Sequence, residues 1–83
     1  MRAVIDCTGF PLVFPVVLAN EETGEITTVD KVELENIVNY ILGNDDVKAV
    51  TLCGGAEFCM GLKEDIEQAS VTQYNKKIEI EVI

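Results

Sequence analysis

Residues 30–59 read DKVELENIVNYILGNDDVKAVTLCGGAEFC, and this stretch decides the fold. Leu34, Ile37, Val38, Ile41 and Leu42 fall at i, i+3, i+4, i+7 and i+8, which makes one apolar stripe on a helix. Asp30 is a good N-cap, Glu33 three residues later completes a capping-box pattern, and Gly43-Asn44 supplies a stop. The spacing predicts a helix over 31–42. The period then changes. VKAVTLC at 47–53 is a short apolar run that reads as a buried strand, and Gly54-Gly55 turns the chain tightly. A second helix is expected over 56–69, with Cys59, Leu62, Ile66 and Ala69 on its buried face. Gly61 weakens that helix by roughly 1 kcal/mol relative to Ala, so either close packing against a neighbour or a break is expected there.

Upstream of this stretch the chain reads as strands. RAVIDC at 2–7 is a buried first strand that ends at Thr8-Gly9. GFPLVFP at 9–15 is apolar but carries Pro11 and Pro15, and each proline removes a ladder donor. An extended edge or loop is expected there, feeding a strand at 16–20. Phe10, Leu12, Val13 and Phe14 either cover the core or form an exposed contact patch. Glu21 to Gly24 is a turn, and EITTV at 25–29 returns as the second arm of a hairpin. Downstream, residues 70–77 are a polar connection. IEIEVI at 78–83 alternates as a half-buried strand, with Glu79 and Glu81 guarding a sheet edge.

The order is β-β-β-α-β-α-β. The expected fold class is α/β, with α+β as the alternative: one mixed five-stranded sheet with two helices packed on it, in a single domain over residues 1–83. A domain of this length buries only about 60–65% of its unfolded surface, so an oligomer would relieve a thin stability margin.

Three antiparallel strands followed by αβαβ resemble the core of the ribonuclease H-like fold, which actin-like ATPase domains share. The residues that carry the resemblance are AVIDCTG at 3–9 and CGGAEF at 53–58. The first looks like the strand and phosphate loop of those domains, and the second like their glycine turn into a helix. The resemblance implies that strands one and four are neighbours and that Asp6 takes the place of the acidic residue near the end of strand one. Two features depart from it. Strand four ends in Leu52-Cys53, where the nucleases of that family bring a further carboxylate, and the chain has no second domain to close over a nucleotide.

Composition narrows the function. The formal charge is −9, with 15 acidic residues against 6 basic ones and no histidine. Nucleic-acid modules usually carry a basic face, so direct DNA or RNA binding is not expected. The acidity reads either as a solvated surface or as an acidic decoy that inhibits a basic nucleic-acid-binding protein. No run approaches the roughly 20 apolar residues of a membrane span, and MRAVID does not read as a signal peptide. A cytoplasmic location is expected, with no membrane partner. Cys7, Cys53 and Cys59 are an odd number and fit reduced thiols.

Two candidate sites follow. Asp6, Thr8, Gly9, Gly54 and Gly55 could bind an anion or nucleotide, since a strand end, two glycines and a helix N-terminus present free amides. Cys7, Cys53 and Cys59 could form a metal or redox thiol site, or they could simply pack. They lack the C-x3-C-x2-C spacing of radical S-adenosylmethionine enzymes, and the glycine pair lacks the lysine of a P-loop. Without histidine, acid–base work would fall to carboxylates alone. The sequence therefore favours a non-catalytic interaction or regulatory module without a cofactor. Its partner would be a protein or a second copy, met through Phe10, Leu12, Val13 and Phe14 or through the sheet edge. The alternatives are a small anion-, nucleotide- or metal-binding domain and the acidic decoy.

Overall fold

Alternation of burial along the strands sets the architecture. The computed structural model describes residues 1–8 and 13–83, with the side chain of Ala56 left out. Strands β1 (Arg2–Asp6), β2 (Val13–Ala19) and β3 (Ile26–Glu33) are followed by α1 (Leu34–Leu42), β4 (Ala49–Cys53), α2 (Ala56–Thr72) and β5 (Glu79–Val82). The sheet runs β3-β2-β1-β4-β5. β2 runs antiparallel to its neighbours β1 and β3, and β4 lies parallel to both β1 and β5. This is the expected α/β fold with two helices on a mixed five-stranded sheet, and its element order is that of the ribonuclease H-like core.

Every second residue of β1 and β2 enters one core. Ala3 and Ile5 on β1 and Phe14, Val16 and Leu18 on β2 are buried, and Val50 and Leu52 of β4 join them. Ile37, Ile41 and Leu42 of α1 and Cys59, Leu62, Ile66 and Ala69 of α2 close over the same cluster. Both helices therefore cover one face of the sheet. Phe14 ties β2 to α2 by stacking on Phe58, with ring centroids 5.1 Å apart. Such a pair contributes roughly 0.5–1.5 kcal/mol beyond its burial.

The largest differences from expectation are at element boundaries. The first helix begins at Leu34, not at 31, because β3 continues through Glu33. Val32 is opposite Phe14 and Glu33 opposite Val13, and burying Val32 against β2 outweighs the capping signal. Asp30 is thus a strand residue opposite Val16, and Glu33 takes the N-cap without a side-chain cap bond.

The second strand begins at Val13, three residues early, and contains Pro15. The β1–β2 ladder stops at Ile5–Val16, so Pro15 lies beyond it with only Lys31 of β3 alongside. A missing donor is tolerated where one flank has no partner strand. The second helix runs on to Thr72 without a break at Gly61, and no atom lies within 4 Å of a Cβ built there, so close packing does not account for that glycine.

The hairpin turn is as read. Gly24 adopts a positive φ of 75°, and Asn20 accepts from the backbone of Glu22 and of Thr23 through Oδ1. Among the described residues, no helix is long and apolar enough to cross a membrane.

Candidate functional site

Parallel pairing of β1 with β4 brings the two glycine-bearing motifs to one corner. Asp6 is opposite Cys53, and the Cys7 amide donates to the Cys53 carbonyl at 2.6 Å. Gly54 follows with φ of 116°, a conformation that side chains disfavour. A Cβ on it would come within 2.5 Å of Thr8 Cγ2 and 2.7 Å of the Thr8 amide nitrogen. Gly54 thus lets the β4–α2 turn lie against the end of β1. Gly55 has open space around it. Asp6, Thr8, Gly54 and Gly55 meet at the carboxyl ends of two parallel strands, whereas Gly9 lies outside the described residues.

Asp6 is satisfied within its own loop. Its Oδ1 accepts from the Thr8 amide at 2.9 Å and from the Thr8 hydroxyl. Those two bonds, the hydroxyl's first, hold the carboxyl below its ordinary value. Helix α2 starts at this corner with Gly55 as a cap that has no side chain to offer, and Glu57 sits in its first turn. A carboxylate there already complements the helix dipole. With Asp6 and Glu57 both negative, the corner favours cations over phosphate.

The three thiols also converge. The Cys53 and Cys7 sulfurs lie 3.4 and 3.8 Å from the same carbonyl, that of Ile5. The Cys59 thiol is beside that of Cys7 and is fully buried. Burial, then the neighbouring Cys59, pushes the Cys7 thiol up to about 12. A thiol so poised stays protonated at neutral pH, which suits packing better than nucleophilic attack. Among the described residues, no group of three or more Cys, Asp or Glu side chains is arranged to hold a metal ion.

The apolar segment divides. Phe14 is 1% exposed and belongs to the core, whereas Val13 on the opposite face of β2 is 41% exposed. Phe10 and Leu12 lie outside the described residues.

Sequence reasoning did not find the face of the sheet that the helices leave open. Directly paired residues share a face, so Val4, Val17 and Val29 form a row across β1, β2 and β3. A register shift between Leu18 and Ala19 lets Ile26 pair with Ala19, which puts it on the same side. Val29 is 70% and Ile26 60% exposed, while Val4 and Val17 are half-buried. Towards β4 the face turns polar. Arg2 lies across it, donating to Thr51 Oγ1 at 2.9 Å and pairing with Glu21 at 2.8 Å. The available signal was the apolar content at both parities of β1 and β2, Val4 beside Ile5 and Val16 beside Val17, which reads as burial on two sides.

No family model matches the chain, and neither the curated proteins nor the solved structures include a significant match.

Proposed function

We propose that the protein is a non-catalytic interaction module that docks a protein partner, or a second copy of itself, on the open face of its sheet. The observation that carries this reading is the apolar half of that face, where Ile26 and Val29 stand exposed beside Val4, Val17 and Val13. Contiguous apolar side chains left in water mark contact surfaces more often than isolated ones do. The remaining surface is strongly acidic, which keeps such a protein soluble while the patch waits for its partner.

Val29→Glu tests it, with Val71→Glu as control. Val71 is a comparably exposed valine on α2, at 76%. Both variants are expected to keep the wild-type circular dichroism. Immobilised wild type and Val71→Glu should retain the same bound protein or second copy, and Val29→Glu should lose it. Equal retention by all three would overturn the reading.

A further inference from the structure

Between the helices lies a second surface of a different kind. Leu34 and Val38, one turn apart on α1, face Phe58, Gly61 and Leu62 on α2 across an open groove of about 400 Å³. Leu34 is 39% exposed, and Phe58 and Val38 are half-buried. Gly61 leaves the α2 side open, since nothing lies within 4 Å of a Cβ there. A glycine in mid-helix that is neither packed nor a break thus lines this groove. An adjoining depression of about 560 Å³ shares Leu34 and continues past Val13, Glu33 and Glu35.

The charges along these two depressions have one sign. Glu57 and Asp65 line the first, and Glu33 and Glu35 line the second. No lysine or arginine lines either among the described residues, and residues 9–12 contain none. An apolar floor walled by carboxylates is complementary to a helix with an apolar stripe flanked by lysine or arginine. Leu34 and Val38 on one side and Phe58 and Leu62 on the other are each one helical turn apart, so the groove runs along the two helices.

We infer that the α1–α2 groove binds a basic amphipathic helix of a partner protein. The docking goes beyond the open-face reading and does not depend on it, because the groove between the helices shares no residue with the Val4, Val17, Ile26 and Val29 patch, and only the adjoining depression reaches Val13.

The test uses the whole chain and an 18-residue Leu/Lys amphipathic peptide, with the Leu/Glu peptide of the same pattern as its counterpart, followed by fluorescence anisotropy. The Leu/Lys peptide should bind, more weakly as salt rises, and the Leu/Glu peptide should not. Gly61→Leu puts a side chain into the groove from a position where a Cβ meets nothing within 4 Å, and should weaken binding at least tenfold. Glu57→Lys/Asp65→Lys should weaken it similarly, whereas Glu79→Lys/Glu81→Lys, an equal charge change on β5, should leave it within a factor of about two or three. Equal losses for the two charge-reversed proteins would reduce the attraction to net charge and overturn the inference, as would wild-type affinity in Gly61→Leu. Val29→Glu should bind the peptide normally, so that failure of the open-face reading and failure of this one are separately visible.

Discussion

At the scale of single residues, the two glycines at 54 and 61 have opposite roles that the structure separates cleanly. Gly54→Ala would force a Cβ into Thr8 at a backbone angle that disfavours it, and should cost about 1–3 kcal/mol. Gly61→Ala meets nothing and should stabilise the domain by about 0.5–1 kcal/mol. Denaturant melts of the two variants beside wild type check both signs.

Asp6 gives a pH signature. Its folded carboxyl is lowered by the Thr8 hydroxyl and amide, so its contribution is fully present above the unfolded value of 3.8 and is lost as pH falls through the lower folded value. Asp6→Asn should therefore melt below wild type at pH 7, and the gap should close as the pH drops below 3.8. A gap that persists unchanged in acid would mean the carboxylate's charge is not what stabilises the loop. Only part of this corner was legible beforehand. The meeting of Asp6 with Gly54 follows from strand pairing that the ribonuclease H-like resemblance implied, but the reason for Gly54, a close approach to Thr8, needs coordinates.

The elements were read well in order and less well at their ends. Periodicity along α1 is strong because Ile37, Ile41 and Leu42 are all core residues, and that pattern survives in any sequence window. Its start was misplaced because a capping box is a local signal, while the extension of β3 to Glu33 is fixed by non-local pairing of Val32 with Phe14. Pro15 misled for the same reason: whether a proline breaks a strand depends on where the neighbouring ladder ends.

The helix end makes a prediction of its own. Asp30→Ala should leave α1 helicity unchanged, since Asp30 caps nothing, whereas Glu33→Ser installs the missing cap and should add about 0.5–1 kcal/mol. Circular dichroism and thermal melts of the two variants decide it, and loss of helix in Asp30→Ala would restore the capping-box account.

For the molecule as a whole, the decisive property is that both helices cover the same side of the sheet. A two-layer domain of 83 residues leaves its second sheet face to water or to a partner. Here the β4–β5 side of that face is polar, with Arg2 over Thr51 and with Glu79 and Glu81, while the β1–β3 side keeps Val4, Val17, Ile26 and Val29. The sequence shows apolar residues at both parities of β1 and β2, and nothing in it says which of them face the helices. Which parity the helices cover is a property of the assembled fold. The most direct test is photo-crosslinking in living cells, with a diazirine amino acid placed at position 29 and, separately, at position 71. A specific adduct at 29, absent at 71, is the predicted result, with its mass distinguishing a second copy from another protein. Equal labelling at both positions, or no adduct at 29, would contradict the assignment of the open face as the contact surface.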